Sequence, residues 1–125
     1  MAIEEFMSGL QEILVSLQKN IPNIQAAAII SQEGLPIASI LPENVDDIKI
    51  AAMTAAMLSL GERAAMELQR GEMEELIISG SEGYVITMAA GKNAVLTVSI
   101  PSTVKLGLIF HFMRPAAQEI EKRIV

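Results

Sequence analysis

A chain of 125 residues, half of them apolar, can bury one ordinary core and is too short for two, so a single domain over residues 1–125 is expected. Fifteen acidic against nine basic residues give a formal charge of −6, which offers no basic field to phosphate backbones or anionic lipid and sets nucleic acid and membrane surfaces aside as partners. There is no cysteine, hence neither a disulfide nor a thiolate metal ligand; the start is acidic, unlike a secretory signal, no apolar stretch reaches the about 20 residues of a bilayer span, and a cytoplasmic location is expected.

The first segment spaces Ile3, Phe6, Leu10, Ile13, Leu14 and Leu17 by three and four, with Glu4, Glu5, Gln11, Glu12 and Gln18 on the other side. This predicts an amphipathic helix ending near Lys19 and Asn20, where Pro22 approaches. From Ile24 to Ser31 both alternating sets are mostly apolar, as in a strand covered on two faces, so this strand is placed inside a sheet. Gln32-Glu33-Gly34 turns the chain, and Leu35 to Leu41 returns as a second strand. Pro36 cannot donate to a ladder, which puts that strand at an edge or starts it with a bulge.

A long helix follows, capped by Asp46 or Asp47 and running to about Arg70, with Gly71 as its stop. Met73 to Ser79, Tyr84 to Ala89 and Ala94 to Ile100 read as three strands joined by glycine-containing turns. The last segment, from about Thr103 with Ser102 or Thr103 as cap, carries Leu106, Ile109, Met113, Ala116, Ala117, Ile120 and Ile124 on one stripe. It is predicted as a helix that Pro115 bends or divides. The order α-β-β-α-β-β-β-α implies an α+β domain: a five-stranded antiparallel sheet with helices on both faces.

The middle helix is apolar nearly all round. On a wheel, Ile50, Met53, Met57, Leu60, Ala64 and Leu68 suffice to cover a sheet. The other side, Ile48, Ala51, Ala52, Ala55, Ala56 and Ser59, is small and apolar where a monomer would carry charge. Small residues at four-residue spacing admit a second helix at close range, and the simplest such helix is a second copy across a two-fold axis. The bland alternative is that alanine is a good helix former. Glu62, Arg63, Glu67 and Arg70 close the helix with mixed charge, a solvated set or one that pairs across the two-fold.

No catalytic constellation is found. The lone histidine, His111, falls off the apolar stripe of the last helix and reads as an exposed residue rather than a base or ligand. Zinc would have to rely almost wholly on carboxylates; the carboxylates of Glu72-Met-Glu-Glu75 read as a solvated strand entrance more readily than as a weak cation site. Gly80-Ser-Glu-Gly83 lacks the lysine and following helix of a phosphate loop, so the chain is not itself a GTPase. Neither a cofactor nor a metal is expected. Met53, Met57, Met66, Met73, Met88 and Met113 are read mainly as gap fillers in the core, with an adaptable binding surface as the alternative.

The strand–turn–strand Ala28-Ile-Ile-Ser-Gln-Glu-Gly-Leu-Pro-Ile-Ala-Ser39, the small-residue middle helix, the hairpin Gly91-Lys-Asn-Ala-Val-Leu-Thr-Val98 and the helix opening Leu106-Gly-Leu-Ile109 together resemble the roadblock (dynein light chain) family, and most of all its short prokaryotic MglB-like members. The resemblance covers Phe6 to Ile124, its strength lies in the order of the motifs, and Pro115 is a departure from it. It implies a roadblock/profilin-like architecture and a homodimer with middle helices side by side. The strand of Met73, Leu76, Ile77 and Ile78 would then join its symmetry mate. It further implies a non-enzymatic platform for a Ras-like small GTPase, and combined with the mixed-charge helix end it makes Arg63, Met66 and Arg70 the candidate partner contacts. A small-molecule sensor and a structural subunit of a larger complex are the competing readings; the sensor would need a cavity with convergent polar groups.

Overall fold

The first eighteen-residue helix, α1 (Ile3–Asn20), buries Leu10, Leu14 and Leu17 on the stripe its spacing announces. The structure, a computed structural model, describes residues 2–124. After α1 come β1 (Ala26–Ser31), β2 (Pro36–Ile40), α2 (Asp47–Glu67), β3 (Leu76–Gly80), β4 (Gly83–Ala89), β5 (Ala94–Pro101) and α3 (Leu106–Arg123). The strands form one sheet in the order β2-β1-β5-β4-β3, with every neighbour antiparallel. β1 is thus interior, as its double apolar pattern requires, and β2 is an edge strand. Both consequences of Pro36 are realised, because it also stands opposite Ile30 where the β1–β2 register slips.

Strand alternation divides the interior in two. Ala27, Ile29, Ile86, Met88, Leu96, Val98 and Ile100 point to the face covered by α1 and α3, where they build the main core with Leu10, Leu14, Ile109, Met113 and Ile120. Ala28 and Ile30 point to the other face and meet Ala51 of α2. Thr87 and Thr97, register partners on β4 and β5, bury their hydroxyls together with the oxygens 2.8 Å apart.

Several boundaries differ from the sequence expectation. β3 begins at Leu76, so Met73 belongs to the connection before it. α3 begins at Leu106 behind Lys105, with no side-chain cap from Ser102 or Thr103. It neither breaks nor divides at Pro115. The carbonyl that Pro115 deprives of a donor is that of His111, and both residues lie on the exposed side of the helix, where water can replace the lost bond. At the end of α2, Arg70 donates its backbone N–H to the Ala65 carbonyl at 2.8 Å and Gln69 donates to Met66 at 3.1 Å. That is the Schellman pattern, and the left-handed residue in it is Gln69, at φ 58, rather than Gly71.

The orientation of α2 is the main correction. Ala51, Thr54 and Leu58 are the residues it buries, while Met53 and Leu60, expected on the sheet, are 50% and 70% exposed and Leu68 is exposed with them. The strand beneath is Ala26-Ala27-Ala28, and a helix settles most closely onto such a strand through its own small residues. Gly61 continues this close approach: a Cβ there would stand 2.7 Å from the Met73 sulfur and 3.5 Å from Leu76.

Candidate interaction surface

The two edges of the sheet are treated differently. At β2, Pro36 removes a donor and Gln11 of α1 reaches over to give its side-chain amide to the Ser39 carbonyl at 3.1 Å, so the ladder there is blunted. β3 carries no such protection: none of its five residues is buried, and Ile77 and Ile78 are exposed large apolar residues. Register puts Ile78 opposite Val85, and so on the α2 face, and Ile77 opposite Ile86, on the other. Leu76, on the α2 side, is half-buried against the Gly61 region. An unpaired, apolar, uncharged edge is a template for another strand.

On the same side, α2 stands over β1 and leaves the sheet towards β3 open. A groove of about 690 Å³ runs there, with Ile50, Met53 and Met57 on its helix wall and Ile78, Val85 and Thr97 on its floor. Open edge, open groove and the exposed methionine flank of α2 therefore face one way. The opposite flank lies against the β1–β2 turn, where Gly34, at φ 91, brings backbone close to Ala51, Ala52 and Ala55.

The residues assigned from the wheel to a helix–helix contact are thereby distributed. Ala51 is fully buried inside its own chain, so its side chain is not available to a partner. Ala55 is half-buried beside Gly34, Ile48 is exposed at the start of the helix, and Ala52, Ala56 and Ser59 form its exposed outer surface. Met73 is half-buried against Gly61 and does not belong to the edge strand. Among the described methionines, only Met88 and Met113 fill the core; Met53 and Met66 are exposed and Met57 is half-buried, so the gap-filler reading fails for α2.

Arg63, Met66 and Arg70 are all exposed near the C-terminal end of α2. Arg63 pairs with Glu67 at 2.9 Å, one turn on. Met66 is 73% exposed, in a hollow shared with Glu62 and Glu72. His111 is exposed, its ring edge-on to Phe112. Glu75 is engaged by Arg114 at 3.2 Å, and Arg114 also stacks over Phe110. Among the described residues no cluster of His, Asp or Glu could hold a metal ion, and no helix is long and apolar enough to cross a membrane. Sequence reasoning missed Met53, Met57 and Leu60 as surface residues; the unusual run of large apolar residues on an already apolar helix was the available signal.

Residues 10–99 match the model of the Roadblock/LC7 domain. The uncharacterized protein MJ1340 of Methanocaldococcus jannaschii is 34% identical over 112 residues, which cover 90% of this chain and 96% of that protein. Among solved structures, Myxococcus xanthus MglB superposes with a TM-score of 0.87 at 22% identity, covering 99% of this chain and 92% of its own. The gliding protein MglB of Thermus thermophilus gives 0.84 at 17%, covering 94% and 90%. At these identities the structural likeness concerns the fold.

Proposed function

The chain belongs to the Roadblock/LC7 domain family, and on that premise we propose that it is a non-enzymatic, cytoplasmic homodimeric regulator or scaffold for a Ras-like small GTPase. The observation that carries this reading is the coincidence, on one side of the molecule, of the unprotected β3 edge and the open apolar groove beside α2. A second copy related by a two-fold axis satisfies both at once, extending the sheet through Leu76, Ile77 and Ile78 and closing the groove with its own α2. In this arrangement Met53, Met57 and Leu60 form the helix contact, because they lie on the flank next to β3, and Ala52, Ala56 and Ser59 keep the outer face.

The paired α2 helices then make one broad surface on the face that α1 and α3 do not occupy. Arg63, Met66 and Arg70 lie on it, an apolar residue rimmed by charge, which suits a reversible interface. A small-molecule sensor is less well supported: the groove is walled mainly by apolar side chains, and the buried hydroxyls of Thr87 and Thr97 are already bonded to each other.

The test combines mass and affinity. Light scattering at about 10 μM should give the dimer. GTP-analogue-loaded Ras-like GTPases of the source genome, assayed one by one, should include a binder, and Met66→Ala should weaken it about tenfold, or 1.4 kcal/mol, with dimer mass unchanged. A monomeric wild-type protein would overturn the dimer, and failure of every GTPase to bind would overturn the regulator.

A further inference from the structure

Between residues 42 and 75, eight acidic residues face three basic ones, so −5 of the chain's −6 sits on α2 and its two connections. The remainder of the chain, α1 and α3 included, is balanced to within one charge. Part of this load has a local explanation. Asp46 caps α2 by accepting the Ile48 N–H at 3.0 Å, and Asp47 stands at the positive end of the helix dipole. Glu67 and Glu75 are engaged by Arg63 and Arg114.

The C-terminal end of α2 has no such explanation. Its last turn contains no basic residue, whereas α1 ends on Lys19 and α3 on Lys122 and Arg123. Arg70 follows just past the cap and Arg63 is paired with Glu67, yet the charged side chains that line the hollow beside this end, Glu62 and Glu72, are both carboxylates and share the sign of the dipole's negative end. Glu62 and Glu72 border a hollow of about 660 Å³ into which Met66 is exposed. An exposed thioether in a concavity of one charge sign is organised for a partner that supplies the opposite sign.

We propose that the surface of the α2 platform receives a basic face of the GTPase, with an apolar side chain of the partner against Met66 and its lysine or arginine side chains against Glu62 and Glu72. This rests on the reading of the protein as a GTPase platform and adds the chemistry of the partner's docking face. A further copy of this chain is disfavoured as the occupant of the hollow, because outside this region its charge is balanced and offers no excess of positive charge; an anionic membrane is disfavoured because it would bring like charge against like. Both carboxylates are exposed, so their attraction is one that salt screens within about 10 Å at 0.1 M.

The experiment measures the affinity of the wild-type protein for each GTP-analogue-loaded Ras-like GTPase of the source genome between about 50 and about 500 mM NaCl. The expected result is a steady loss of affinity with salt. Glu62→Lys with Glu72→Lys should weaken binding about tenfold at low salt, a difference that closes at high salt. Glu4→Lys with Glu12→Lys on α1, the same change in net charge at exposed positions, should leave affinity unchanged. Circular dichroism checks that both double variants fold. Equal weakening by the two pairs would reduce the effect to net charge and overturn the proposal. So would binding that is indifferent to salt and to both pairs, or a change in oligomeric mass on reversing Glu62 and Glu72. If no GTPase binds the folded wild-type protein, the platform reading itself fails and this inference with it.

Discussion

Replacing Ile78 by lysine separates the fold from the proposed self-association. Ile78 is 41% exposed on the outermost strand, with its side chain on the groove floor opposite Val85. In the free chain the lysine stem can lie along the groove while the ammonium reaches water through the same opening. The fold then loses only the transfer energy of the covered part of the isoleucine, about 1 kcal/mol. In a dimer that pairs β3 with its copy and closes the groove, that opening is gone. An unpaired charge buried there costs about 3 kcal/mol or more per copy, and the two-fold applies it twice. Even if water and side-chain adjustment relieve half of the total, the dissociation constant rises about a hundredfold. Sedimentation equilibrium across a concentration series, with a thermal melt of the same sample, reads both quantities. A variant that stays dimeric at low micromolar concentration while folding normally would refute the β3 seam. A variant that unfolds outright would show that Ile78 belongs to the core more than its exposure suggests.

Two further predictions concern the chain alone. Gln69→Gly should stabilise it by about 1 kcal/mol, because Gln69 holds the left-handed position of the α2 cap at φ 58, where glycine is free of the Cβ clash; a urea midpoint at or below that of the wild type would contradict this. Thr97→Val should destabilise by about 1–3 kcal/mol by leaving the Thr87 hydroxyl buried without a partner, whereas Thr87→Val combined with Thr97→Val should recover most of the loss. If the two single changes simply add in chemical denaturation, the hydroxyls do not depend on each other.

Much of this fold can be read from residue types because local pattern and tertiary environment agree. α1 and α3 have one apolar stripe each and bury it, β1 is apolar on both faces and lies inside the sheet, and Pro36 marks the edge strand. α2 defeats the wheel for a physical reason. A helix that is apolar nearly all round has no preferred face, and which face it buries depends on the strand beneath. Against Ala28 and Ile30 the close fit is made by Ala51, with Thr54 and Leu58 buried on the same side of the helix, a property of two segments that neither reveals alone. Pro115 does not divide α3: the hydrogen bond it removes falls between itself and His111, two exposed residues, where water can stand in for the missing donor. The apolar character of Leu76, Ile77 and Ile78 was legible at once, but the exclusion of Met73 from that strand depends on its packing at Gly61.

The residues of α2 are sorted by size and charge into three directions, and this sorting would tie the proposed self-association to the proposed partner binding. Ala51, Thr54 and Leu58 face the sheet, and the small side chain of Ala51 sets the helix low over Ala28 and Ile30 of β1. That low position leaves the bulkier Met53, Met57 and Leu60 off the sheet, with Met53 and Met57 on the groove wall, where a second copy would cover them. The outer direction is left to Ala52, Ala56 and Ser59, which leave the helix surface low and flat, and then to Glu62, Arg63 and Met66, which give it charge and one apolar anchor. A monomer would have to expose the methionine flank to keep the outer surface available. In the proposed dimer the flank would be covered, two such outer surfaces would lie side by side, and the charged end of each helix would stand at the margin of a single apolar-centred platform, as an association that must be both specific and reversible requires.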